Sequence, residues 1–203
     1  MIPVELARDE VVEGRQFAAP ETTGADTAVM REMLGLMRTL ARSWRESPPP
    51  GESVLVKETD ATGARTWIRV PERSALLTAE HLTTIGFFGQ ARADVDHDPI
   101  DRLEEAIVDT LEEVPGLLSY FNLGLAHGGY GNLILCNAAD VPLRWREHRI
   151  HRRAVELAPR HYHSARLHSG VVRSPLSGDA GLEVTRTRYY DFDSEPVWLA
   201  VRG

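Results

Sequence analysis

The stretch DPIDRLEEAIVDTLEEVPGLLSYFNLGLAHGGYGNLILC, residues Asp98–Cys136, decides the fold. Ile100, Leu103, Ile107, Leu111 and Val114 recur at spacings of three and four, the stripe of an amphipathic helix. Asp98 offers an N-cap, Pro99 a first helical residue and Asp101 a first-turn acid. Pro115-Gly116 ends that helix. Leu117–Leu125 then predicts a strand, His127–Gly131 (HGGYG) a glycine-rich turn, and Asn132–Asn137 a short buried strand. Upstream, His81–Ala93 (HLTTIGFFGQARA) is rich in Thr, Ile and Phe and reads as a strand. Downstream, Asp140 and Pro142 start a second helix that Pro159 stops, and His161–Val172 is strand-like. The order over residues 81–173 is β-α-β-β-α-β, the split unit of a ferredoxin-like α+β core.

Around this core the chain carries extensions. Residues 27–46 predict a helix with Met30, Met33, Leu34, Met37, Leu40, Ala41 and Trp44 on one face. Ser47-Pro48-Pro49-Pro50-Gly51 ends it, and Ser53–Glu58 and Arg65–Val70 read as a hairpin, so 27–80 form an N-terminal helix-hairpin. Residues 1–26 show no sustained period and are expected to be a flexible arm. Residues 174–203 add C-terminal strands, Leu182–Asp191 and Pro196–Val201, that complete the same domain; the hairpin at 53–70 is one partner open to them.

A length of 203 residues suits one large domain or one domain with appendages. The 30 acidic residues against 23 basic ones give a net charge of −7, which repels phosphate backbones and disfavours nucleic acid as a partner. A single cysteine, Cys136, excludes an internal disulfide and a multi-cysteine metal cluster. No apolar run approaches membrane-spanning length, and no basic segment followed by an apolar one opens the chain. A cytoplasmic protein without a membrane partner is the expectation. Lys57 is the only lysine, a bias that fits a GC-rich bacterial coding genome.

The run Pro115-Gly116-Leu117-Leu118-Ser119-Tyr120, the strand Leu133-Ile134-Leu135 and the helix segment Trp145–Ala154 (WREHRIHRRA) resemble the dimeric α+β barrel superfamily. The likeness is to its antibiotic-biosynthesis-monooxygenase-like members and covers about residues 81–173. It implies a homodimer in which one sheet from each subunit closes a barrel, with a small-molecule pocket between each sheet and its helices. Members include cofactor-independent oxygenases, heme-degrading and heme-binding enzymes, and muconolactone-isomerase-like proteins. Fold alone does not choose among them.

Histidine is the residue type of interest. If the second helix is continuous, its apolar stripe runs along Leu143, Ile150, Ala154 and Leu157. His151 then lies at the border, about 80° from the centre, with His148 about 140° away and Trp145 nearly opposite. His151 is thus the first candidate for proton transfer or for axial ligation of heme, ahead of His148, His161 or His163. The alternative for His151 is a border side chain bonded to a carbonyl or to Glu147. Trp145 reads as a subunit contact or as packing against the added elements. Tyr120 alternates with Phe121, so one faces the helices and could orient a substrate. His161 and His163 are expected on one strand face, although a catalytic metal wants a third ligand and none is evident. His168 faces the other way with Arg166. No phosphate loop, serine-nucleophile elbow or dinucleotide fingerprint is present.

Three functions follow. The first is a secondary-metabolism enzyme, a monooxygenase or a cyclase/isomerase, acting on an apolar or aromatic molecule with His151, Tyr120 and His148 as catalytic candidates. The second is a heme enzyme with a histidine ligand, and the third is a non-enzymatic ligand-binding barrel.

Overall fold

The computed structural model describes residues 2–59, 65–125, 129–173, 176, 178 and 181–203. Five helices and nine strands follow in the order β1 (Val4–Leu6), α1 (Pro20–Glu46), β2 (Val54–Thr59), β3 (Arg65–Val70), α2 (Arg73–Thr78), β4 (Leu82–Ala91), α3 (Asp98–Asp109), β5 (Leu117–Gly124), β6 (Tyr130–Cys136), α4 (Val141–Glu147), α5 (Arg149–His161), β7 (Tyr162–Val172), β8 (Leu182–Asp191) and β9 (Trp198–Arg202).

All nine strands join one sheet in the order β1-β9-β8-β7-β4-β6-β5-β3-β2. Its central four, β7-β4-β6-β5, are antiparallel neighbours. Numbered within the split unit they run fourth, first, third, second, so the core is ferredoxin-like. The hairpin and the C-terminal strands do not pair with each other. The hairpin extends the sheet beyond β5, whereas β8 continues as a meander from β7 at the opposite side. The short link from β7 to β8 keeps those consecutive strands adjacent, whereas β3 reaches β5 across the intervening α2, β4 and α3.

The expected arm is regular structure. β1 pairs in parallel with β9, Val4 opposite Ala200, and α1 starts at Pro20 rather than near residue 27. Its first turns escape an apolar count because the residues they bury, Asp26 and Thr27, are polar. At α3, Asp98 is the first helical residue rather than the cap, and the Asp96 carboxylate accepts its N–H at 3.0 Å. Gly116, at φ +88°, turns the chain from the end of α3 into β5, a conformation that side chains oppose.

The sheet is covered on both faces. On one, α1 buries Met30, Met33, Leu34, Met37, Ala41 and Trp44 against Phe88, Phe121, Leu133 and Val172. On the other, α3 and the α4–α5 pair close over Tyr120, Ile134 and Cys136. Helix α1 lies on the face through which two such sheets would close a barrel. A homodimer of this chain must therefore use another surface or displace α1. No described helix is long and apolar enough to cross a membrane.

A polar tether fixes α1. The Asp26 carboxylate receives the Arg166 guanidinium through Nε and through Nη2 at 3.1 Å, and also His168 Nε2 at 2.9 Å. His168 Nδ1 lies 2.9 Å from Thr187 Oγ1. His168 is fully buried, and Asp26 nearly so.

Candidate active site

Side-chain alternation along β5 sends Tyr120 towards α3 and Phe121 beneath α1. Beneath α3, Tyr120 joins a polar group. Its hydroxyl donates to Glu104 Oε1 at 3.4 Å and accepts from Asn132 Nδ2 at 3.4 Å. Glu104 projects from α3, Asn132 from β6. Tyr130, next on this face of β6, donates to Asp101 Oδ1 at 3.4 Å and meets Tyr162 edge-on at 6.3 Å. These bonds are long, and Asn132 Oδ1 is buried with no partner among the described residues. A ligand hydroxyl donating to that oxygen would tighten the group, as catalytic contacts do on substrate binding. Residues 126–128, which include the first two positions of the expected glycine turn, lie outside the described residues.

Burial pushes the Glu104 carboxyl up to about 7, with the Asp101 charge adding to the rise. The Tyr120 hydroxyl and the more distant Arg65 oppose that rise without cancelling it. Tyr120 itself is held far above its ordinary value, first by burial and then by Glu104. It is therefore a hydrogen-bond donor and not a phenolate. Sequence reasoning passed over Glu104, yet a signal existed: it lies about 60° from the centre of the α3 stripe, inside the apolar half of the wheel.

The histidines do not converge on this group. His148 has extended backbone, φ −58° and ψ 132°, and divides the second helix into α4 and α5. A continuous wheel therefore misplaces everything before it. Trp145 is buried on Tyr120 rather than outward, and Leu143 is exposed. His148 stacks on Trp145 at 5.6 Å and reaches Glu113 at 3.3 Å. His151 packs on the same indole at 4.6 Å, and burial holds its imidazole down to about 4. His161 ends α5 and His163 belongs to β7, so they do not form a strand pair. His161 sits 5.6 Å from His97, while His163 holds Asp193 at 2.8 Å near the surface.

The Nδ1 atoms of His148, His151 and His161 are buried without a hydrogen-bond partner among the described residues, and His163 Nδ1 is engaged by Asp193. Nε2 of His148 reaches Glu113, whereas Nε2 of His161 and of His163 is bonded to no described residue and is the nitrogen either would offer a heme iron.

For His151 the unfolded chain binds a proton more tightly between pH 6.5 and 4, so its burial costs stability as pH falls through that window. His151→Leu is expected to reduce this acid loss by up to about 3 kcal/mol, with little change at pH 7.5. Denaturant titrations at pH 4.5 and 7.5 measure it; equal effects at both would refute the buried neutral imidazole.

No family model and no curated protein matches the chain. Among solved structures, a heme-degrading enzyme from Listeria monocytogenes shares 10% identity, covering 60% of this chain and 82% of that one, at a TM-score of 0.37. A monooxygenase-like protein from Listeria innocua shares 11%, covering 62% and 78%, at 0.33. A ferredoxin-fold protein related to antibiotic biosynthesis monooxygenases, also from L. monocytogenes, shares 10%, covering 74% and 86%, at 0.34. The chain is similar to monooxygenase-like ferredoxin-fold proteins. At these scores the likeness carries no argument about activity, and the topology stands on the chain's own strand order.

Proposed function

We propose that the chain is an enzyme that moves a proton on an apolar or aromatic small molecule held between α3 and the sheet. Glu104 is the base, and Tyr120 and Asn132 are the groups that hold the substrate oxygen. The observation that supports this most is the buried Glu104 carboxyl, which titrates near neutrality beside the Tyr120 hydroxyl and an Asn132 amide oxygen with no partner among the described residues. A general base works best at that value.

The carboxylate takes a proton from an activated C–H or O–H. Tyr120 O–H and the Asn132 amide then donate to the oxygen that gains charge. With dioxygen as co-reactant, the substrate anion is oxygenated; returned a proton at another carbon, it is isomerised or cyclised. Both outcomes suit a bacterial secondary-metabolism enzyme of monooxygenase or cyclase type. The site lies within one subunit, so a homodimer would carry two. His151 and His148 support the site through Trp145, which packs on Tyr120, and do not move the proton.

The test is an absorption titration with a hydroxynaphthoquinone, whose colour reports its ionisation. At pH 8 the protein is expected to give a saturable spectral change, weakened about tenfold or more in Tyr120→Phe. An unchanged spectrum, or a Tyr120→Phe variant that binds like the parent, would count against the reading.

A further inference from the structure

On the α1 face of the sheet, remote from Glu104, a cleft of about 510 Å³ lies between the N-terminal half of α1 and β8. Arg8 from the turn after β1, Arg31 from α1 and Arg186 from β8 line it. Each is exposed, and none has a side-chain ion pair or hydrogen bond among the described residues. By contrast, Arg15, Arg69, Arg73, Arg92 and Arg166 each hold a carboxylate. Among the described lining residues the one acidic side chain is Glu183, and it is taken by Arg173 at 3.1 Å.

A fourth arginine deepens the asymmetry. Arg202 also lines the cleft but is buried, and every bond of its guanidinium goes to a neutral oxygen. It donates to the carbonyls of Ala7 (2.7 Å), Arg8 (2.6 Å), Glu10 (2.9 Å) and Ala18 (2.8 Å), and to Tyr189 Oη (3.2 Å). Its hydrogens are satisfied and its charge is not. Buried charges are ordinarily paired, so an uncompensated one beside three free arginines leaves the cleft electropositive in an acidic protein. The first turns of α1 add the positive end of a 27-residue helix. Thr27 and Thr187 line the cleft as well, their hydroxyls bonded to the Thr23 carbonyl (2.7 Å) and to His168 Nδ1 (2.9 Å).

We infer that this cleft binds a small phosphate-bearing molecule. Arginine forks match the several oxygens of a phosphate, and the volume leaves room for an organic body. Arg31 and Arg186 grip the phosphate, while Arg202 supplies fixed potential from below.

The test is calorimetric titration of the whole chain with inorganic phosphate, with citrate as the comparison anion. One saturable site is expected, with a Kd below about 1 mM. The double variant R31S/R186S, both positions exposed and so safe for folding, should weaken it about tenfold or more. R153S, which removes the Glu156 partner on α5, should bind like the parent. Absence of saturation up to about 10 mM phosphate, undiminished binding in R31S/R186S, or tighter binding of citrate than of phosphate would overturn the assignment.

Discussion

Replacing Asp26 by alanine is expected to cost about 3–5 kcal/mol of stability, because it strands two buried donors at once. Arg166 loses both of its bonds to the carboxylate, and His168, fully buried, loses its Nε2 partner. Neither can turn to water without leaving the sheet. For a chain of this length that loss corresponds to a fall in Tm of about 10 °C. Asp26→Asn should cost less, since its amide oxygen still accepts one of the bonds. Urea denaturation of the two variants measures the difference. A loss below about 1 kcal/mol in Asp26→Ala would show that the tether is ornamental and that the methionine face alone holds α1.

Glu104→Gln is expected to stabilise the protein at alkaline pH while removing its chemistry. The folded state holds the Glu104 proton more tightly than the unfolded chain, 4.5 rising to about 7. Between those values the folded state binds more protons, so stability falls as pH rises through the window and the full penalty applies above it. The shift corresponds to about 3 kcal/mol as an upper figure. Glutamine has no proton to lose, so the variant should match the parent near pH 4.5 and exceed it at pH 8.5. Turnover of any substrate that needs the base should drop by about 10²–10⁴-fold. Denaturation curves at the two pH values need no substrate. A variant that gains nothing at pH 8.5 would place Glu104 in solvent and remove it from the site. Together the two effects describe a residue retained against stability, as functional groups often are.

The topology was legible where local signals agree. Residues 98–136 place α3, β5 and β6 by period, Pro-Gly punctuation and strand composition, and the structure keeps all three. Alternation alone set Tyr120 and Phe121 on opposite faces of β5 but left open which of them meets α3; the structure gives that place to Tyr120. What failed did so for identifiable reasons. The break at His148 leaves no mark in composition, so a continuous wheel turned Trp145 outward and gave His151 a freedom it lacks. The Asp26–His168 pair spans 142 residues, and no local rule relates those positions. Glu104 was readable as a misfit in an apolar stripe, but only burial shows that its carboxyl titrates near neutrality.

The pairing of Val4 with Ala200 and of Asp26 with His168 also has a consequence during synthesis. Helix α1 leaves the ribosome before β7 and β8, which receive its anchors. Until they emerge its methionine face has no finished surface to rest on, so a helix made before them is locked only after them. A nascent chain stalled before β7 would carry that face open, a natural handle for a chaperone and a point at which slow translation becomes aggregation.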